Sequence, residues 1–142
     1  MTLKTKTLTI MAAAGFAALA TVSGAQEAGQ QEYMNACAVC HGENATGNGP
    51  LASLMSVPAP DLTVLAKNNE GVFPMLYVVH VIDGRTGVRA HGSDQPDWAG
   101  GMPVWGDRFA TQAGTDYGPY GSELYVRGRV MALADYLEGI QQ

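Results

Sequence analysis

Cys37-Ala38-Val39-Cys40-His41 is the stretch that decides how this chain is read. Its two cysteines, the only two in 142 residues, lie three positions apart, and a histidine follows at once. A bridge between them would close almost no loop, so a disulfide-stapled scaffold does not fit. On one helical turn, two thiols at this spacing add to the two vinyl groups of a haem while the adjacent imidazole reaches the iron. C-x-x-C-H therefore reads as a site of covalent haem attachment. A thioredoxin-like dithiol would need a βαβ context that the pattern lacks. A structural zinc would need a fourth ligand, with only His80 and His91 left to supply one.

An iron held by His41 has a sixth position to fill. Of seven methionines, Met1 and Met11 fall in the leader discussed below. Met34 sits one turn before Cys37 on the attachment helix and cannot swing to the opposite haem face. Met55, Met75 and Met131 read as pocket or core residues. Met102 differs, because it lies in Gly100-Gly101-Met102-Pro103-Val104-Trp105-Gly106. There the glycines permit close backbone approach and Pro103 stiffens the loop. A thioether on a rigid loop binds both iron oxidation states with little rearrangement, and His/Met ligation raises the reduction potential. The expected site is Cys37, Cys40, His41 and Met102, with His41 and Met102 on the iron. His91 is an exposed loop residue in this reading and His80 a boundary residue. Trp105 divides evenly between pocket and core. Arg85 and Arg89 are more simply solvated than paired with propionates.

The first 25 residues read as an export leader. Lys4 and Lys6 form a positive start, Leu8 to Ala20 is apolar, and Ser23 and Ala25 suit cleavage by an A-x-A-like rule. The apolar run is shorter than the ~20 residues that span a bilayer, and no later segment is long enough. Removal of residues 1–25 leaves 117 residues and takes two of eight basic residues but none of 13 acidic ones, a net charge of −7. Such a chain lacks the footprint of a nucleic-acid binder. An apolar fraction of 46% and a charged fraction of 15% also exclude a disordered acidic tail.

The rest, residues 26–142, shows no repeat or linker and reads as one mainly α domain. Helices are expected over Gln30–Val39, from an Asp61 cap through Lys67, over Val72–Ile82, and from a Ser122 cap onward. In the last, Val126, Val130, Leu133, Leu137 and Ile140 recur at three- and four-residue steps. Gly42–Pro50 and Arg85–Gly101 read as loops. Asp107–Gly121 has no assigned role.

On these residues the chain resembles a class I, mitochondrial-type monohaem cytochrome c in its bacterial periplasmic form. The matching features are CAVCH at 37–41, Gly49-Pro50, the MPVWG run from Met102, Tyr33 before the first cysteine, and Leu133 and Tyr136. The resemblance implies a small fold of helices wrapped around one covalent haem c, with N- and C-terminal helices crossing. It also implies that the Pro50 carbonyl accepts a hydrogen bond from His41. The function implied is one-electron transfer between redox partner proteins, with no bond-making on a substrate. The alternative is a dedicated haem subunit of a periplasmic dehydrogenase or oxidase that docks through 107–121. A gas sensor would need an open sixth position, which the Met102 loop argues against. The basic haem-edge surface of mitochondrial relatives is missing.

Overall fold

The computed structural model describes residues 17–88 and 101–142. Among these residues it is helical, with no strand. Helix α1 spans Ala17–Ala36 and α2 spans Ala38–His41. Three 3₁₀ turns follow, at Ala52–Leu54, Leu62–Val64 and Lys67–Asn69, and then α3 at Met75–Asp83, α4 at Trp105–Ala113 and α5 at Gly118–Gly139.

Local chemistry explains where each element departs from expectation. α1 is longer than Gln30–Val39 on its N-terminal side, because Ala, Gln and Glu upstream are good helix formers. It ends before Val39, since the chain turns at Cys37 and restarts as the single turn α2. The helix expected from Asp61 to Lys67 is replaced by two 3₁₀ turns. Asp61 Oδ1 accepts from both the Thr63 N–H (2.8 Å) and the Thr63 hydroxyl (2.6 Å). The carbonyls of Leu62 and Thr63 are taken by Gln141 and Gln142, so they are not left to an α-helical partner. Glu70, at φ 57°, ends this segment in the left-handed region. α3 begins after Pro74 and stops at Gly84, whose φ of 72° suits a residue without Cβ.

The unassigned stretch 107–121 is the body of α4 and the first turn of α5. α5 starts four residues before Ser122, and that hydroxyl donates to the Gly114 carbonyl (3.2 Å) instead of capping the helix. The α5 stripe is as expected: Val126, Val130, Leu133 and Leu137 are buried. Met131, expected in the core, is 41% exposed on the opposite side of α5.

The core forms where α1 crosses α5. Gly29 lies against Ala132 and Tyr136; a Cβ there would overlap the Ala132 carbonyl oxygen and sit 2.7 Å from Tyr136 Cβ. Next along α1, Tyr33 is fully buried, its ring 5.3 Å from that of Tyr136. Glu32 and Arg129 pair beside the crossing, with a 2.9 Å contact from Arg129 Nε, and the same guanidinium lies 3.8 Å from the Phe109 ring centroid. Gln26 Nε2 donates to the Asp135 carbonyl (3.0 Å), whereas a Cβ on Gly24 would meet nothing within 4 Å. At the other end of α5, Arg85 joins Asp83 (2.5 Å) to Glu123 (2.9 Å), tying α3 to α5. Arg85 is thus an ion-pair residue and not merely solvated.

Replacing Gly29 with Val should force α1 and α5 apart. Overpacking at such a site costs about 1–3 kcal/mol, to be read as a lower denaturation midpoint at unchanged slope.

Candidate functional site

The site begins where α1 ends. The turn at Cys37 lets the Cys40 and His41 N–H groups both bond the Cys37 carbonyl (3.1 and 2.9 Å), so Cys37, Cys40 and His41 share one tight turn. The glycine-rich loop then doubles back under α2. The Gly49 N–H donates to the Cys40 carbonyl (3.1 Å) and the Leu51 N–H to the Val39 carbonyl (3.0 Å). A Cβ on Gly49 would stand 2.6 Å from both carbonyl oxygens, so only glycine permits this approach. The Tyr33 hydroxyl donates to the Gly42 carbonyl (2.6 Å), and burial raises its pKa, so it stays a donor.

His41 is buried, and its Nδ1 lies 3.1 Å from the Pro60 carbonyl oxygen. A carbonyl only accepts, so Nδ1 carries the proton and the imidazole lone pair resides on Nε2. The partner implied by resemblance was Pro50; the structure places Pro60 there instead. Both proline rings are exposed, but Ala59 is buried against Gly47, which brings the backbone of Pro60 in beside the loop.

Two cavities flank this turn. One, of about 370 Å³, is walled by both cysteines, His41, Met102, Leu51 and Trp105, among others. The second, of about 210 Å³, is walled by Cys37, His41, Met102, Pro60, Leu62 and Leu133, among others. Cys37, His41 and Met102 belong to both. The structure therefore gathers Cys37, Cys40, His41 and Met102 around one space. Met55 is a wall of the larger cavity, Met75 packs against the core and Met34 is 40% exposed. Trp105 serves both roles considered for it, lining the larger cavity while its ring lies 5.5 Å from Phe109. His80 is half-buried on α3, and Arg89 and His91 lie outside the described residues.

Some walls were not singled out by sequence reasoning. Arg108 lines the larger cavity, its guanidinium 5.3 Å from the Trp105 ring; its place one helical turn after Val104 was the available signal. The Pro60 acceptor is a backbone atom and leaves no signal beyond a proline followed by a capping Asp.

The donor set suits a haem. Two thiols, an imidazole with its lone pair on Nε2 and a thioether share largely apolar walls. It does not suit dithiol redox chemistry, which needs a stabilised thiolate. Burial pushes the Cys37 thiol up to about 12, with Glu32 and Cys40 adding to the rise, and burial also raises Cys40.

The cytochrome c family model matches residues 26–120, about two-thirds of the chain. This chain belongs to the cytochrome c family. The family binds covalently attached haem c with iron and transfers electrons through it. No curated protein and no solved structure matches the chain. Among the described residues of this cytochrome c domain, no helix is long and apolar enough to cross a membrane.

Tyr33→Phe should leave the Gly42 carbonyl without its buried donor and cost about 1–3 kcal/mol of unfolding free energy. The loss should appear in denaturant titration, with faster amide exchange over residues 42–47.

Proposed function

We propose that this chain is a periplasmic monohaem c-type cytochrome that carries single electrons between larger redox proteins. Residues 1–25 are its export signal and residues 26–142 its single domain. Cys37 and Cys40 hold the haem through thioethers, and His41 and Met102 are its axial ligands. The observation that carries this reading is the His41 ring, proton-pinned by Pro60 on a wall it shares with Cys37 and Met102.

Bound haem supplies a one-electron Fe(III)/Fe(II) couple. The residues make that couple fast and directional. Pro60 fixes the imidazole tautomer and raises its basicity. Pro103 and the close packing of Val104 against Gly84 hold the Met102 loop, so neither oxidation state demands rearrangement. The largely apolar walls would give the haem a low-dielectric surrounding.

Spectra test the ligand set. The native protein should keep its haem through acid-acetone extraction and show the near-infrared band of Met–Fe(III) ligation. Met102→Ala should lose that band, lower the potential and bind CO in the ferrous state. An unchanged band and potential would assign the sixth position to another residue.

Recognition follows from charge. After residue 25 the chain carries seven excess negative charges. Of its six basic residues, Arg85, Arg127 and Arg129 are held in ion pairs. Val39, Leu51 and Leu54 are exposed beside the larger cavity. Docking is therefore apolar at the haem edge or steered toward basic surfaces. Electron transfer with a basic redox protein should slow as salt rises, and with an acidic one should quicken.

One observation favours the alternative role as a dedicated subunit of a dehydrogenase or oxidase. The α4–α5 corner exposes Tyr117, Tyr120 and Leu124. Co-purification of a catalytic subunit, lost in Tyr120→Lys, would establish it.

A further inference from the structure

A single side chain beyond α5 fastens the loop that carries the Pro60 carbonyl. Gln141 Nε2 donates to the Leu62 carbonyl (2.8 Å) and to the Leu137 carbonyl (2.7 Å). Its Oε1 accepts from the Ala66 N–H (2.9 Å). A primary amide offers two N–H groups and one carbonyl, and here both the nitrogen and the oxygen are engaged. Beside it the Gln142 N–H donates to the Thr63 carbonyl (2.9 Å).

Leu62 is fixed at both of its backbone groups, since its own N–H donates to the Ala45 carbonyl (2.7 Å). It stands two residues from Pro60, across the extended Asp61. On the other side of Pro60, Ala59 is buried against Gly47, where an added Cβ would overlap the Ala59 carbonyl. The Pro60 carbonyl is thus held between anchors on both sides. On one side Ala59 packs against Gly47 within the loop. On the other, Leu62 is bonded to Ala45 and to the Gln141 amide, the latter brought from 79 residues away in sequence.

We propose that Gln141 is a positioning residue for the haem ligand His41: it fixes Leu62, and through Leu62 the Pro60 carbonyl that holds the imidazole proton. The proposal rests on the reading of His41 as axial ligand. A well-held Nδ1–H···O bond makes the imidazole a stronger donor, which favours the oxidised iron. Loosening the anchor therefore shifts the couple toward the reduced form and raises the potential.

The test uses the holoprotein, with Gln141→Met as a near-isosteric variant that cannot hydrogen-bond through an amide. Gln141→Glu is the second variant, retaining the acceptor for Ala66 but losing both donors. Three quantities are read: the exchange rate of the His41 ring proton by NMR, the reduction potential, and the denaturation midpoint. Both variants should speed exchange of the ring proton by about threefold or more, the lower range of what one hydrogen bond is worth. The redox equilibrium should move by a similar factor toward Fe(II), about 28 mV upward at 59 mV per tenfold for one electron. A lower midpoint with ring-proton exchange and potential both unchanged would overturn the proposal, leaving Gln141 as a tie between α5 and the loop. If either variant does not fold, the other decides. If the native ferric protein shows no paramagnetically shifted His41 ring proton, the ligand assignment fails, and the clamp with it. A shifted proton that is indifferent to both variants refutes the clamp alone.

Discussion

The crossing of α1 over α5 is the constraint on which the cofactor site depends. Gly29, Tyr33 and Cys37 are spaced four apart, so they descend one face of α1 toward the crevice. Gly29 brings the two backbones together, and Tyr33 fills the next layer against Tyr136. The Tyr33 hydroxyl then reaches past the helix end to the Gly42 carbonyl, on the far side of His41. The position of the thiols and the imidazole is thus inherited from a helix contact two turns away. A wider crossing would carry Cys37 and His41 away from Met102, which is held by a different part of the chain.

That other part is organised around α3. Gly84 ends α3 and lies against Val104, while Gly106 lies against Asp83 and Arg85 at the same corner. At this corner hydrogen-bonded charge outweighs the opposing effect of burial. The Arg85 guanidinium bonded to Asp83 holds that carboxyl below its usual range, and Arg127 with Arg85 does the same for Glu123. The C-terminal flank of the Met102 loop is therefore pinned by steric contact to a helix end that ion pairs tie to α5. His41 and Met102, the residues proposed to face the iron, are thus carried by different parts of the chain, both packed against α5. Rigidity on both sides suits a couple that must change charge without changing shape.

Patterns confined to a few neighbouring residues could be read from the sequence. C-x-x-C-H and the Gly-Gly-Met-Pro loop each express their chemistry within one turn, the α5 stripe repeats from turn to turn, and the structure brings Cys37, Cys40, His41 and Met102 around one space. What could not be read depends on distant backbone. Pro50 and Pro60 are both prolines in the loops after the motif, and only the fold decides which carbonyl faces His41. The segment at Asp61–Lys67 carried a helix-start signal. Its carbonyls were instead claimed by Gln141 and Gln142, a competition that no local propensity contains. The start of α5 lies five residues before the one a Ser122 cap implies, because Ser122 is a good cap in isolation while Gly114 offers it a carbonyl. Gly29 carried no signal, since a glycine in a helix is a cost until its neighbour is known.

Gly29, Gly49 and Gly106 share a property that bears on how such a protein diverges. At each, a first side-chain carbon would meet backbone carbonyl oxygen at or below 2.7 Å, from α5, from α2 and from the end of α3 respectively. Apolar walls of a crevice exchange with one another at under about 1.5 kcal/mol, so drift can erase them while the crevice persists. Backbone-to-backbone contacts admit no such exchange, because nothing smaller than glycine exists and the opposing atoms belong to the chain itself. In a lineage whose overall resemblance has faded, the spacing of these three glycines to Cys37 and Met102 should outlast the hydrophobic residues as its signature.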